Sequence, residues 1–185
     1  MQTSTQAQLV SHQKASDQIS IYVACLAAYN NGQLHGEWID ATQELEDIQD
    51  QINQMLSRSP QQNSEEYAIH DYEGFAGYGV GEYEGIQSVH EMACFIERHP
   101  EIGGELLNNF GGSLEDARKA ADENYIGCYE SLIDYAEELT TDTTEIPDNL
   151  RYYIDYEKIA YDMERSGDVY TIEVTYGQVH VFNSH

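Results

Sequence analysis

An apolar run that begins at residue 21, followed by a turn signal, is the first clear hydrophobic pattern of the chain. The run 21–27 is apolar over the length of a strand, and the turn signal 30–32, Asn-Asn-Gly, separates it from the segment 33–39. These residues predict a β-hairpin. Trp38, the only tryptophan, is expected to anchor the core of that sheet, because large aromatic side chains bury much apolar area.

A helical period follows the hairpin. Asp40 and Gln43 form the pattern of a capping box, and apolar side chains then recur at helical spacing between residues 45 and 56. Acidic side chains fall on the opposite side, so we expect a helix with one buried face and one acidic face. The segment 67–72 predicts a third strand, which completes a β-β-α-β unit.

Glycine and capping signals divide the middle of the chain into a series of short predicted helices. The segment 74–85 contains five glycines, but it lacks the lysine and the register of a phosphate-binding loop, so it is interpreted as a flexible boundary. A capping box at Ser88 predicts a helix that ends near His99. Apolar residues within 102–110 predict a second helix, and Ser113 is the expected N-cap of a third.

The last third of the chain returns to a longer helical period. Apolar residues from Tyr125 to Leu139 are spaced by four, three, four and three, which predicts one continuous helix. A short helix is expected at about 156–165, with Asp155 as its N-cap and Gly167 as the left-handed residue beyond its end.

These elements predict an α+β fold made of three small units. The segments 169–175 and 179–182 are expected to form a closing hairpin. Residues 1–19 are rich in Gln, Ser and Thr and are expected to form a disordered tail. The predicted units are an N-terminal α+β domain at 20–84, a helical middle domain at 85–120, and a C-terminal α+β domain at 121–185.

Negative charge is the dominant feature of the composition. The chain has 34 Asp and Glu against 8 Lys and Arg, a formal net charge of −26 over 185 residues. Because 41% of the residues are hydrophobic, this charge does not by itself predict disorder. The charge disfavours binding to nucleic acid and to anionic membranes, and it favours basic clefts as partners. Duplex DNA carries one charge per ~1.7 Å, so the same charge occupies roughly 45 Å of duplex.

Two explanations compete for this charge: solubility or adaptation to high salt, and mimicry of a polyanion. The placement of the carboxylates favours mimicry. Glu130, Asp134 and Glu137 are expected along one edge of the predicted long helix, with Glu138 beside them. Like charges one turn apart destabilise a helix by about a few tenths of a kcal/mol each, and no Lys or Arg occurs in 120–150 to neutralise them.

The carboxylates of the predicted helices and of the C-terminal segment form the candidate partner-binding surface. They share an expected position on solvent-facing sides, away from the apolar periods. The fifteen residues are Glu46, Asp47, Asp50, Glu115, Asp116, Asp122, Glu123, Glu130, Asp134, Glu137, Glu138, Asp155, Glu157, Asp162 and Glu164.

Residues that would carry catalysis or bind a metal are not arranged in any recognisable pattern. The seven histidines do not have the spacing of metal ligands, and no EF-hand loop occurs. His70 and Asp71 are neighbours on a predicted strand and are expected to point to opposite faces. Three cysteines without a C-x-x-C pair indicate reduced, mostly buried thiols in a cytoplasmic protein. We therefore expect no catalytic residue, no metal and no cofactor, and no run is long enough to span a membrane.

Three blocks together resemble the ArdA-type antirestriction proteins. The first lies within 21–40 and contains the segments Tyr29-Asn-Asn-Gly-Gln-Leu34 and Gly36-Glu-Trp-Ile-Asp40. The second is Tyr67-Ala-Ile-His-Asp-Tyr-Glu-Gly74, and the third looks like the family's antirestriction motif. The motif residues are Leu150, Tyr153, Ile154, Asp155, Tyr156, Ala160 and Asp162.

This resemblance implies an elongated protein of three parts that forms a homodimer through its C-terminal part. It implies that surface carboxylates imitate the phosphates of B-form DNA and occupy the DNA-binding groove of type I restriction–modification enzymes, which protects incoming mobile DNA. The protein would then be a cytoplasmic inhibitor and not an enzyme, and it would bind neither nucleic acid nor a membrane.

The chain departs from the family pattern in two places. Tyr161 stands where the motif is expected to have an arginine, which leaves the role of this position open, and the tail 1–19 is additional. Two alternative functions remain at this point: an acidic adaptor for another basic DNA-binding protein, and an acidic, salt-adapted protein without mimicry.

Overall fold

The chain folds into two compact units, seen in a computed structural model that describes residues 18–184. The first unit ends at Gly104 and the second begins at Glu105. Each unit contains a three-stranded antiparallel sheet and helices, so the predicted α+β class is confirmed. Within the described part of the chain, no helix combines the length and the hydrophobicity needed to cross a membrane.

The first sheet consists of β1 (Ser20–Cys25), β2 (Gly36–Asp40) and β3 (Tyr67–Glu73), in the order β2-β1-β3. Ile21 of β1 pairs with Ile39 of β2, and all three strands bury apolar side chains. The predicted pairing of the first two strands and the predicted third strand are therefore confirmed. Most of the predicted tail lies outside the described residues, but Ile19 is buried and its carbonyl accepts the amide of Ala41 at 2.9 Å.

The connection between β1 and β2 differs from the predicted tight turn. The apolar run leaves the sheet at Cys25 and continues as a short helix, α1 (Leu26–Asn30), which buries Ala28. Gly32 follows with a φ of +73°, and β2 begins only at Gly36. The prediction failed here because a short buried run has the same hydrophobic pattern in a strand and in a helix.

The main helix of the first unit is α2 (Leu45–Ser57), which buries Ile48, Ile52, Met55 and Leu56 as its period predicts. Its predicted N-cap was wrong. The Asp40 carboxylate accepts the amide of Thr42 at 2.8 Å and its hydroxyl at 2.7 Å, so it stabilises a turn four residues before the helix. Burial acts to raise the pKa of Asp40, but these hydrogen bonds outweigh burial and leave the pKa below its ordinary value.

Trp38 is not the core anchor that the sequence predicted. Its side chain is 44% exposed, and its ring lies against that of Tyr22 with centroids 5.6 Å apart. The two residues are directly paired across β1 and β2, so their side chains share one face of the sheet. The core lies on the other face with Ile21, Val23 and Ile39, because successive residues of a strand alternate between faces.

Three short helices follow the glycine-rich segment: α3 (Ile86–Arg98), α4 (Gly103–Asn109) and α5 (Leu114–Lys119). The start predicted for α3 was too late, since the helix begins before Ser88, whose hydroxyl donates instead to the Glu84 carboxylate at 2.9 Å. Ser113 caps α5 as predicted. The boundary at Gly104 falls inside the predicted middle domain, and the division into three domains stays a prediction, because compact contacts do not test independent folding.

The second sheet consists of β4 (Tyr125–Tyr129), β5 (Val169–Thr175) and β6 (Gln178–Asn183), in the order β4-β6-β5. A π-helical turn, Ala120–Asn124, precedes β4. The helices α6 (Leu132–Thr143) and α7 (Tyr156–Ser166) lie between β4 and β5 in the chain, with a 3-10 turn, Arg151–Tyr153, before α7. The closing hairpin is confirmed, and Gly177 in its turn has a φ of +76°.

The long helix predicted from Tyr125 was wrong in its first seven residues, since the helix begins only at Leu132. Tyr125 and Tyr129 are in a strand and pair with Phe182 and Val179 of β6. A spacing of four residues is compatible with one face of a helix and also with one face of a strand. The spacing of these tyrosines therefore could not distinguish a helix from a strand. A buried cluster of Tyr135, Val169 and Val181 joins the helices to this sheet.

Candidate partner-binding surface

The C-terminal motif forms α7, which has a local stabilising contact at each end. The Asp155 carboxylate accepts the backbone N–H of Lys158 at 3.0 Å. At the other end Gly167 has a φ of +76°, and the amides of Gly167 and Asp168 donate to carbonyls of the last turn at 3.2 and 3.1 Å. Paired bonds of this kind are typical of a helix that ends at a left-handed glycine. Both ends of α7 were predicted from the sequence and are confirmed.

The segment before α7 exposes large apolar side chains. Tyr152 and Tyr153 of the 3-10 turn are 93% and 83% exposed, and Leu150 is exposed beside them. Ala160, by contrast, is buried within α7. The motif therefore has members on the surface as well as one that packs the helix against its own unit.

The remaining motif residues lie between the core and the surface or are fully on the surface. Ile154 and Tyr156 are half-buried, and Asp162 is exposed. Tyr161, which departs from the family pattern, accepts a hydrogen bond from Arg165 at 2.8 Å, and the guanidinium carbon lies 5.9 Å from the centre of its ring. This tyrosine therefore binds a cation of its own helix, one turn further on.

The helix α6 carries a continuous row of carboxylates. Asp134, Glu138 and Asp142 follow one another at intervals of four residues and share one side of the helix, and Glu137 lies next to them; all four are exposed. We call these four residues the acidic face of α6. Glu130 was predicted on the same edge, but it precedes the helix and is not part of this face.

The acidic face opposes the helix dipole at its end. Asp142 lies in the last turn of α6, where the partial charge of the helix is negative, and no basic residue occurs there. Asp134 is different, because it lies in the first turn and exchanges hydrogen bonds with the N-cap Ser131. The sequence interpretation missed Asp142, although its spacing of four from Glu138 was a sufficient signal.

Two tyrosines support the acidic face from within the second unit. The hydroxyl of Tyr129 donates to the Glu138 carboxylate at 3.1 Å, and its ring lies 5.3 Å from that of Tyr135. Burial, followed by the hydrogen bond to Glu138, raises the pKa of Tyr129. Burial and the charge of Glu138 also raise the pKa of Tyr135. The position of this carboxylate is therefore fixed by a neutral donor and not by a cation.

The other predicted carboxylates lie mainly where a helix favours negative charge. Glu115 and Asp116 occupy the first turn of α5, and Glu157 that of α7. The first turn of α2 likewise contains acidic residues. The remaining predicted residues that are exposed on or beside helices are Glu46, Asp47, Asp50, Asp122, Glu123 and Glu164.

All fifteen predicted carboxylates are exposed. Across residues 18–184, none of them forms a salt bridge, whereas other carboxylates do: Glu37 pairs with Arg58 at 2.9 Å and Asp148 with Arg151 at 3.7 Å. Asp116, Asp134 and Asp155 have a second, structural role at helix starts.

The described residues contain no group of three or more His, Cys, Asp and Glu side chains placed to hold a metal ion. His70 faces Glu82, with 3.9 Å between Nε2 and Oε1. Of the three free cysteines, Cys25 is buried as expected, whereas Cys128 is exposed. The sequence interpretation overlooked the cleft around His70 and Glu82. This cleft depends on a contact between a strand and a loop, and such a contact leaves no periodic pattern in the sequence.

Fold and surface together define a small, acidic α+β protein in which exposed, unpaired carboxylates are the outstanding surface feature. A model of the antirestriction protein family (ArdA) matches residues 21–178, and the chain belongs to this family. Family membership implies an antirestriction function. No individually curated protein is significantly similar to the chain.

Proposed function

We propose that this protein inhibits type I restriction–modification enzymes by filling their DNA-binding groove with carboxylates that take the place of DNA phosphates. Incoming mobile DNA is thereby protected in the cytoplasm. The family match supports an antirestriction function, and one observation carries the finer proposal. The fifteen predicted carboxylates are all exposed, and none is salt-bridged within residues 18–184.

Unpaired carboxylates keep their charge available for a partner. A surface selected for solubility alone is expected to mix both signs of charge. The acidic face of α6 instead places like charges one turn apart and ends with Asp142 against the helix dipole, and both arrangements destabilise the helix. This local cost supports selection for binding to a basic surface.

The spacing of these charges makes a specific prediction about salt. Carboxylates in successive turns of a helix are about 5.4 Å apart along its axis, whereas each DNA strand has one phosphate per about 3.4 Å. A helix face therefore replaces fewer charges per unit length than DNA does. Inhibition should weaken as salt increases, with a shallower slope than for DNA binding by the same enzyme.

The proposed mechanism needs no chemical step. The net charge of −26 attracts the Lys and Arg side chains of a DNA-binding groove over a distance set by the ionic strength. After this steered encounter, fixed carboxylates form charge-assisted hydrogen bonds with those side chains. The protein then acts as a competitive inhibitor and not as an enzyme.

The proposal includes a homodimer formed through the second unit. Leu150, Tyr152 and Tyr153 expose apolar area in one short segment, which is typical of an interaction surface. Sedimentation velocity should give twice the chain mass of 21.0 kDa, and Tyr153→Ser should shift the equilibrium toward the monomer. A monomer at all concentrations would contradict this part of the proposal.

A competition experiment tests the central claim. Labelled target DNA is bound to a purified type I methyltransferase core and titrated with the protein at two salt concentrations. Polyglutamate of equal total charge serves as the control for nonspecific polyanion effects. We expect displacement near stoichiometric ratios by the protein and little displacement by polyglutamate.

Each alternative outcome has a definite meaning. Equal displacement by polyglutamate would show that the placement of the carboxylates is irrelevant, which contradicts mimicry. No displacement would remove the type I enzyme as the partner. A circular-dichroism melt that requires high salt for folding would instead support a salt-adapted protein.

A further inference from the structure

The first unit contains a cleft that has no role in the inhibition proposed above. It has a volume of about 380 Å³, within the range of small ligand sites, and it opens to solvent. Aromatic rings and one carboxylate dominate its walls. The lining residues are Tyr29, Ile69, His70, Tyr72, Val80 and Glu82.

The fold fixes the walls of this cleft through main-chain contacts. β3 is an edge strand of the first sheet, and its Ile69 amide donates to the carbonyl of Glu82 at 2.9 Å. The loop that carries Glu82 is therefore attached to this edge. A register shift between Tyr22 and Val23 pairs them with Asp71 and Ile69, so that His70 lies opposite the irregularity.

The ring of His70 lies near the carboxylate of Glu82, and Tyr29 lies against His70. Tyr29 of α1 meets the His70 ring edge-on with 4.6 Å between the centroids. His70 Nε2 lies 3.9 Å from the Glu82 carboxylate, beyond hydrogen-bond distance, and the Glu82 side chain is 52% exposed. A hydrogen bond to Glu82 raises the pKa of the Tyr83 hydroxyl, so a further tyrosine lies beside the same carboxylate.

We propose that this cleft receives an arginine side chain of the basic partner. Aromatic faces attract cations, and a guanidinium group can stack on a ring while it donates two parallel hydrogen bonds to a carboxylate. Tyr29, Tyr72 and Glu82 supply both components, and the lining contains neither Lys nor Arg. The negative charge of the chain disfavours an anionic ligand in the same place.

This inference rests on the proposed function only for the identity of the partner. The site is specific for arginine over lysine, because a lysine ammonium ion cannot stack as a plane or bind a carboxylate bidentately. The cleft would thus add one fixed, shaped contact to a surface whose other contacts are distributed charges.

The cation site is tested with a peptide probe and without any restriction enzyme. Acetyl-Gly-Arg-Gly-amide is titrated at constant ionic strength, and the NMR signals of His70 and Tyr29 are followed. The citrulline peptide, which has the same shape without the charge, and the lysine peptide are the controls. We expect saturable shifts with arginine, weaker binding of lysine and none of citrulline.

Glu82→Gln should weaken arginine binding about fivefold, the upper range for a partly exposed ion pair. The matched control is Glu97→Gln, which removes the same charge from an exposed position of α3 and should change binding less than twofold. The main-chain bond to Ile69 is unaffected by either change, and circular dichroism verifies the fold. Equal binding of citrulline, or equal effects of the two variants, would overturn the cation site.

The assignment to the partner is tested separately in the competition assay. Glu82→Gln should displace DNA less well than Glu97→Gln, although both variants have the same net charge. Equal displacement by these variants would overturn the partner assignment. If the unchanged protein displaced no DNA, the proposed function would fail, while the peptide titration would still decide whether the cleft binds arginine.

Discussion

The two units have similar sheets, but their helices are stabilised in different ways. In the first unit, α2 buries four residues and α3 buries six, and neither helix has a side-chain hydrogen bond at its N-cap. In the second unit, α5 and α7 bury one residue each and α6 buries two, and all three are capped by Ser113, Asp155 and Ser131. Helices with little apolar burial need local hydrogen bonds to form stably.

The two units also differ in charge per residue and in the size of the core. The first 104 residues have sixteen acidic and three basic residues, and the last 81 have eighteen and five, so each unit carries −13. Of the thirty-three buried hydrophobic residues described, twenty-two lie before Glu105. The second unit therefore holds the same charge on a shorter chain with half the core. A surface given to charge leaves fewer positions for burial, and capping offsets part of this loss.

The largest expected contrast concerns two glycines. In the first unit, Gly104→Ala would place a Cβ atom against the backbone oxygen of Ala76, which cannot move independently, so we expect a loss of about 3 kcal/mol. In the second unit, Gly167→Ala meets open space and suffers only from its positive φ, at about 1 kcal/mol. Urea unfolding measures both; equal losses would contradict the packed contact at Gly104.

The stability contributed by Asp40 in the first unit should be lost at acidic pH, and that contributed by Tyr129 in the second unit should be lost at alkaline pH. The pKa of Asp40 is lowered in the fold, so its stabilisation is present above about pH 4 and is lost as the pH falls through the lowered pKa. Asp40→Asn should cost about 1 kcal/mol at pH 7 and less at pH 3. Urea unfolding at both values checks this, and a constant difference would contradict the role of the ionised carboxylate.

The pKa of Tyr129 is shifted in the opposite direction to that of Asp40. Its pKa is raised, so its stabilisation is complete below about pH 10 and is lost as the pH rises through the raised pKa. Tyr129→Phe should therefore lose less stability than the unchanged protein between pH 9 and 11, values chosen to bracket the ordinary tyrosine pKa of about 10. Parallel alkaline losses in the two proteins would show that this hydroxyl does not contribute.

Caps should matter in one unit only. Ser131→Ala removes the hydrogen bonds at the start of α6 and should cost about 1 kcal/mol. The matched change Glu44→Ala, at the N-cap of α2, removes no side-chain cap and should stay within about 0.5 kcal/mol of zero. Thermal unfolding of both variants measures the difference. Similar losses would mean that the two sets of helices are not stabilised differently.

The smallest expected effects are the changes in stability when acidic residues of α6 or α2 are neutralised, and these two changes should have opposite signs. Neutralising Glu137, Glu138 and Asp142 as amides relieves repulsion and the unfavourable dipole contact, so stability should rise by about 0.5 to 1 kcal/mol. Neutralising Glu46, Asp47 and Asp50 removes the two favourable charges of the first turn of α2, Glu46 and Asp47, so stability should fall by about 0.5 kcal/mol. Both triple variants lose equal charge, so both should weaken DNA displacement.

Opposite shifts in stability with parallel losses of inhibition would separate binding from folding. Unchanged inhibition by the folded α6 variant would remove its acidic face from the proposed contact surface. A shift of the same sign in both variants would mean that overall repulsion, and not the position of each charge along its helix, decides stability.

Local signals predicted those elements whose ends are specified by hydrogen bonds within a few residues. Asp155 and Gly167 bounded α7 correctly, because an N-cap and a left-handed end depend on the adjacent backbone alone. The predicted carboxylates are exposed because charged side chains are rarely buried without a partner. The start of α2 was missed, since the carboxylate of Asp40 found a nearer backbone partner in Thr42.

The sequence by itself determined the charge, the α+β class, the closing hairpin and the capped motif helix, because these follow from composition, period and local hydrogen bonding. Tertiary structure alone decided that Tyr125 and Tyr129 lie in a strand and that Trp38 is exposed. It also brought Glu82 to His70. In each case the outcome depended on contacts with a strand or a loop that is distant in the sequence, and a residue's own neighbours carry no record of that partner.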